Sequence, residues 1–200
     1  MSVTTARGRA EAAVLAWVAS SGVEHDLGAR PGEHVVVLPG EAKLRTAVSL
    51  LVGDQALSAS AFVIRRPDEN HEGFYRWLLR RNLRLPGIAF ALDRAGDVFV
   101  VGRVPVEAVT EDELDRLLGA VLTASDGAFN ELLALGFLES MKREWAWRTE
   151  RGESTRNLDA FRHLLEPSAD AGDDVPVDVR DGDAPGPEDR TAPGSPRDAH

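Results

Sequence analysis

Apolar side chains recur along this chain with two different periods, and the change between them marks out the elements. From residue 4 to 20, Ala6, Ala10, Ala13, Val14, Trp17 and Val18 fall at helical spacing, and Ser20-Ser21-Gly22 ends the run. This predicts a short alanine-rich helix able to pack closely on a neighbour. Gly28 to Glu33 is a turn-rich connector holding Arg30-Pro31-Gly32. The period then drops to two. Val35-Val36-Val37-Leu38 reads as a strand closed by Pro39-Gly40. In the next strand Leu44, Thr46, Val48, Leu50 and Val52 alternate with Lys43, Arg45, Ala47 and Ser49. Gly53-Asp54 supplies a hairpin turn, after which Leu57, Ala59, Ala61 and Val63 are set against Ser58, Ser60, Phe62 and Ile64.

A helix is predicted inside the stretch from Arg65 to Gly87. Asp68 to Glu72 place negative charge and capping oxygens at its start, and arginines crowd its end, the order that the helix dipole favours. Phe74, Trp77, Leu78 and Leu85 form its apolar face. A second hairpin follows: Ile88, Phe90 and Leu92, a turn over Asp93 to Asp97, then Val98-Phe99-Val100-Val101. Thr110 and Glu113 have the form of a capping box ahead of Leu114, Leu117, Leu118, Val121 and Leu122. Gly127 is placed to break that helix before Phe129, Leu132, Leu133 and Phe137 resume the pattern. Met141, Trp145 and Trp147 lie on a further helical segment ended by Gly152. Ser154 or Thr155 caps a last short helix bearing Leu158, Phe161, Leu164 and Leu165. The expected order is α-βββ-α-ββ-α with extra C-terminal helices. This is an α+β architecture, five antiparallel strands covered by helices.

Charge divides the chain into two regions. Of the net −10 over 200 residues, Glu166 to His200 carry −7, ten acids against three arginines, leaving about −3 for residues 1–165. The C-terminal segment is also rich in proline and poor in large apolar residues. It cannot bury enough surface to offset its ordering entropy, so the reading is a folded domain over 1–165 and a disordered acidic tail over 166–200. With no cysteine, disulfides, thiolate chemistry and cysteine-built metal sites are excluded. The acidic balance argues against nucleic acid and anionic lipid as partners, and no apolar run approaches membrane-spanning length. The expected compartment is the cytoplasm.

Catalytic signals are sparse. The histidines at 25, 34, 71, 163 and 200 do not pair at ligand spacing, and Tyr75 stands where a helical zinc motif beginning at His71-Glu72 needs a second histidine. There is no phosphate loop, no nucleophile elbow, and no nucleophile–base set; the expectation is no enzyme, no metal and no cofactor. The surface signals are cationic and aromatic. Arg76, Arg80 and Arg84 form a stripe at i, i+4, i+8, joined by Arg65, Arg66 and Arg81. It reads either as a docking face for an acidic or phosphate-bearing ligand or as a solvated helix face. Trp145 and Trp147, two apart, cannot share one helical face. One reads as core and the other as an exposed anchor, or both pack beneath the last helix.

Several strings carry a family resemblance: Leu38-Pro39-Gly40-Glu41-Ala42-Lys43-Leu44-Arg45-Thr46, Ala61-Phe62-Val63-Ile64-Arg65-Arg66-Pro67-Asp68-Glu69-Asn70-His71-Glu72, and Tyr75-Arg76-Trp77-Leu78-Leu79-Arg80-Arg81-Asn82. With Asp126 to Phe137 and Arg151 to Thr155, they resemble bacterial YbjN-domain proteins over roughly residues 5–165. The resemblance implies the fold of type III secretion chaperones, and small cytoplasmic proteins that bind other polypeptides, often as homodimers. It also implies a role in sensory-transduction regulation, with no established enzymatic activity and no family-wide site residues. The leading expectation is therefore a non-enzymatic protein-binding module, chaperone-like or regulatory, that takes an acidic segment of another protein and forms a homodimer. A small-ligand sensor or enzyme built on the arginine stripe is the alternative. A third possibility is autoinhibition by the acidic tail.

Overall fold

A computed structural model describes residues 5–165; the expected disordered tail lies outside the described residues. Helix α1 (Ala6–Ser21) is capped by the Thr5 hydroxyl, which accepts from the Gly8 N–H, and it stops at Gly22 in a left-handed conformation. Six strands then form one antiparallel sheet in the order β1-β2-β3-β4-β6-β5. They are β1 (Glu24–Leu27), β2 (Glu33–Pro39), β3 (Arg45–Val52), β4 (Ala56–Ile64), β5 (Ile88–Leu92) and β6 (Val98–Pro105). Helix α2 (His71–Asn82) joins β4 to β5. Helix α3 (Glu111–Arg151) begins at Thr110, whose hydroxyl accepts from the Glu113 N–H, and a 3-10 turn leads into the short α4 (Arg162–Leu165).

The period-two pattern holds within the strands and fails at two of its ends: Leu44 precedes β3 and is exposed, and Ile64 is buried because the register shifts after Phe62. Val36, Leu38, Val48, Leu50, Val52, Leu57, Ala59, Ala61 and Val63 point inward and are buried, as are Val98, Val100, Ile88 and Phe90. Ala10, Val14 and Trp17 of α1, Phe74 and Leu78 of α2, and Leu114, Leu118, Val121 and Leu132 of α3 close the same core. The architecture is α+β, as expected, with all three long helices contributing to a single apolar layer.

Four further expectations need correction. The sheet has six strands, not five: β1 (Glu24-His25-Asp26-Leu27) is too polar and short to read as a strand, and it forms through its pairing with β2. Gly127 does not break the long helix, because Ala124, Ala128 and Leu132 on either side of it are buried against the core and hold the backbone helical. Helix α2 stops at Asn82, so Arg84 and Leu85 lie in the turn beyond it, fixed by the Arg84 N–H to Arg81 carbonyl and Leu85 N–H to Asn82 carbonyl bonds. Its N-cap, Asn70, sits in a left-handed conformation and makes no side-chain cap bond.

Two cross-links tie α3 to the loops. The Asp126 carboxylate accepts backbone N–H groups of Glu41, Ala42 and Lys43, the last at 2.8 Å. Burial opposes its charge, but the three N–H donors together hold its pKa below the ordinary value. A β-carbon at Gly40 would lie 2.4 Å from that carboxylate, which leaves glycine as the residue that fits. Further along, the Gly136 carbonyl accepts from the Asp68 N–H at 2.9 Å and the Glu69 N–H at 3.3 Å. The Glu69 carboxylate in turn accepts from the Glu139 N–H at 2.8 Å. At 41 residues α3 is on the order of 60 Å long, longer than any strand, and its last turns pack Met141 against Leu158, Phe161 and Leu165 in a separate small cluster.

Two inward positions of the sheet are polar, His34 and Thr46. Thr46 is fully buried, and its Oγ1 has no partner among the described residues. A buried hydroxyl without a partner costs on the order of 1–3 kcal/mol. Thr46→Val, which keeps the shape and removes that oxygen, is expected to raise the stability measured by urea unfolding by about 1 kcal/mol; a loss of stability would show that the hydroxyl is satisfied.

Candidate functional site

The sheet has a second face, and no described element covers it. Its outward residues fall into three rows across the strands, set by the register. One row runs Ala91, Phe99, Phe62, with Ala47 and Val37 further along, and ends at Glu24. The next runs Ala89, Val101, Ser60, Ser49, Val35 and Asp26. The third is Arg103, Ser58, Leu51 and Glu33. Phe62 is 42% exposed and meets Phe99 edge-on with centroids 5.6 Å apart. Lys43 lies 5.1 Å over the Phe62 ring, and desolvation there lowers its pKa.

Small side chains make the middle of this face concave. Ser49, Ser58, Ser60 and Ala89 floor a hollow of about 800 Å³ with Leu51 and Val101 beside it, and Arg30 and Arg103 also line it. Arg30 is held by Glu33 at 2.9 Å, and Ser49 donates to the same carboxylate at 2.6 Å. The Arg30 guanidinium, with the Ser49 hydroxyl and Arg30 backbone bonds, holds Glu33 at about 2 against the opposing effect of burial. Arg103 is exposed and has no partner among the described residues. The hollow thus offers serine hydroxyls, small apolar surface, the Arg30–Glu33 pair and the Arg103 guanidinium to whatever enters it.

Both edges of the sheet are blunted. The β1 edge is four residues long and presents Glu24 and Asp26, with Glu24 paired to Arg45 at 2.6 Å. On β5, the Asn82 side chain takes the outward Phe90 backbone itself: it accepts from the Phe90 N–H at 2.7 Å and donates to the Phe90 carbonyl at 3.2 Å. Charge, shortness and a plugged backbone are ways of preventing strand addition. The outer face, not either edge, is the part of the sheet left open among the described residues.

The arginines anticipated from the sequence do not form one site. Arg65 makes a bidentate pair with Asp68 at 2.6 and 2.7 Å, and its guanidinium lies 4.3 Å over the Phe137 ring. Arg66 follows it at the end of β4, covering Gly96, and its backbone N–H donates to Asp97. Arg76 pairs with Glu72 on its own helix. Arg76, Arg80, Arg81 and Arg84 do converge, on a hollow of about 290 Å³ that also includes Gly73, Trp77 and Leu135. Trp145 is half-buried against the small C-terminal cluster, with Arg162 over its ring, while Trp147 on the same helix is 44% exposed and covered in part by Arg151 at 4.5 Å. Among the described residues there is no cluster of three metal-ligating side chains.

With the sheet and its locking strings in view, comparison with known proteins places the chain. Residues 11–134 match the YbjN family, described as "Putative bacterial sensory transduction regulator". The chain belongs to the YbjN family. An uncharacterised protein of Mycobacterium tuberculosis is 53% identical over 137 residues, 68% of this chain and 75% of that protein. Among solved structures, YbjN from E. coli is 14% identical over 62% of this chain and 91% of its own, with a TM-score of 0.48. The Yersinia pestis type III secretion chaperone SycH, solved with a stable fragment of YscM2, is 17% identical over 58% and 96%, with a TM-score of 0.45. No helix of the described residues is long and apolar enough to cross a membrane.

Besides Asp126, two carboxylates carry lowered pKa values that make the folded domain less stable in acid. Asp68, hydrogen-bonded by Arg65, is held at about 2, as is Glu33. Both pKa values are depressed in the folded state, so their stabilisation is complete above the ordinary carboxylate range and is lost as pH falls toward 2. The melting temperature is expected to drop between pH 4.5 and 2, and Asp68→Asn with Glu33→Gln should flatten that drop. An unchanged profile in the double variant would assign the acid response to other groups.

Proposed function

We propose that this protein is a non-enzymatic, cytoplasmic protein-binding module, chaperone-like or regulatory, that receives its partner on the outer face of the sheet. The observation that carries the reading is the uncovered row from Ala91 through Phe99 and Phe62 beside a concave serine and alanine floor. Exposed apolar surface next to a shaped hollow is costly unless something docks on it. The family's description as a regulator fits a role exercised through binding. The arginines at the border, Arg30 and Arg103, steer acidic partners and fix their register, while the apolar row supplies most of the affinity.

A capture experiment with the full chain tests this. Native protein and Phe62→Asp are used as parallel baits in lysate of the source cell, with Trp147→Ser as a control altered elsewhere. Burying one phenylalanine is worth about 2 kcal/mol, on the order of thirtyfold in affinity. A specific protein retained by the native and Trp147→Ser baits and lost from Phe62→Asp is the expected result. A partner held equally by all three baits would overturn the assignment of the sheet face.

A further inference from the structure

Several arginines of this fold are matched to carboxylates. Arg7 pairs with Glu11, Arg30 with Glu33, Arg45 with Glu24, Arg65 with Asp68, Arg76 with Glu72 and Arg116 with Glu113. Arg80, Arg81 and Arg84 are neighbours at the end of α2 and just beyond it, and none of the three has a carboxylate partner among the described residues. The chain is acid-rich, with 33 acids against 23 lysines and arginines, so the lack of a partner is not forced by composition. The three groups repel one another, and the partial negative charge at the end of α2, about half a unit, offsets only part of their sum.

Arg81 rests on a held aromatic ring, and a turn sets the backbone of Arg84. Arg81 lies 5.8 Å over the Trp77 ring, and the Trp77 Nε1–H donates to the Glu131 carboxylate of α3 at 2.7 Å, which holds the indole. Arg84 is set by the backbone bond from its N–H to the Arg81 carbonyl at 3.0 Å. The hollow between α2 and Leu135 is about 290 Å³, room for a compact charged group with little carbon attached. A carboxylate carries one charge and occupies one guanidinium fork. A phosphate monoester carries nearly two charges and three acceptor oxygens, which suits three unpaired arginines lining one hollow beside the Glu72-paired Arg76.

We propose that Arg80, Arg81 and Arg84, over Trp77 and Leu135, form a binding site for a dianionic phosphoryl group, separate from the sheet face. The phosphoryl group belongs either to a phosphorylated side chain of a partner protein or to a small phosphorylated metabolite. The chemistry at the arginines is the same for both.

Isothermal titration calorimetry on the full chain, at constant ionic strength, tests the site with four probes. These are inorganic phosphate, a phosphoserine peptide, its unphosphorylated twin and a glutamate-rich peptide of equal charge. The expected result is saturable binding of phosphate and phosphoserine peptide, weakened at least tenfold in the doubly substituted Arg80→Gln, Arg84→Gln protein and unchanged in Arg116→Gln. Both altered arginines are exposed, so an unchanged circular dichroism spectrum and melting temperature will confirm that the variant is folded. A phosphopeptide that binds more tightly than free phosphate assigns the site to a partner's side chain, and the reverse order assigns it to a metabolite; either supports the proposal. Equal phosphate binding by the double variant, no saturable binding at all, or tighter binding of the glutamate peptide would overturn it.

Discussion

Helix α3 gives a backbone carbonyl to the segment that precedes α2, and that junction fixes where α2 starts against α3. Gly136, in the middle of the long helix, gives its carbonyl to Asp68 and Glu69, and Glu69 returns a carboxylate to the Glu139 N–H. Approach this close requires glycine: a β-carbon at Gly136 would lie 2.7 Å from Pro67 and 2.9 Å from the Phe74 ring. Arg65 closes the junction from outside, bound to Asp68 and lying on Phe137. Asp126 makes a second tie, to the β2–β3 turn. The β2–β3 turn and the segment after β4, at the same end of the sheet, are thus both tied to one helix; α1, α2 and α3 all lie on the inward face, and no described element covers the other.

That asymmetry carries the functional argument. A sheet closed on one side and open on the other gives its partner two places to bind, the face or an edge. Both edges are obstructed, β1 by its length and its acids and β5 by the amide of Asn82 on the Phe90 backbone. The face is concave because its central rows are serine and alanine, and apolar because Phe62, Phe99, Val101 and Leu51 stand around them. Arg80, Arg81 and Arg84 sit elsewhere, on the border of α2 and α3, so one domain offers two surfaces of different chemistry.

Much of this was legible in the sequence, and the parts that were not share a cause. Alternation in residues 44–64 separated inward Val48, Leu50, Ala59 and Ala61 from outward Ala47, Ser49, Ser58 and Ser60, because period two is a local property of the chain. Thr110 and Gly152 marked the two ends of α3 for the same reason. Strand β1 and the continuity of α3 through Gly127 were not legible, since each is decided by what packs alongside. The same holds for the arginines. Spacing grouped Arg76, Arg80 and Arg84 with Arg81 beside them, but the fold decides that Glu72 takes Arg76 and leaves Arg80 without a carboxylate among the described residues. Nor does alternation say which face of a sheet is covered, and so the serine-floored hollow could not be found from the outward positions alone.

The central claim is that the outer face of the sheet is open in the intact chain. Methyl relaxation by a soluble paramagnetic chelate, measured on the full-length protein, reads this directly. The account predicts strong relaxation at Val35, Leu51 and Val101 and protection at Val36, Val63 and Val100, their neighbours on the inward face. Equal protection of both sets would mean that the face is already occupied, and would contradict it.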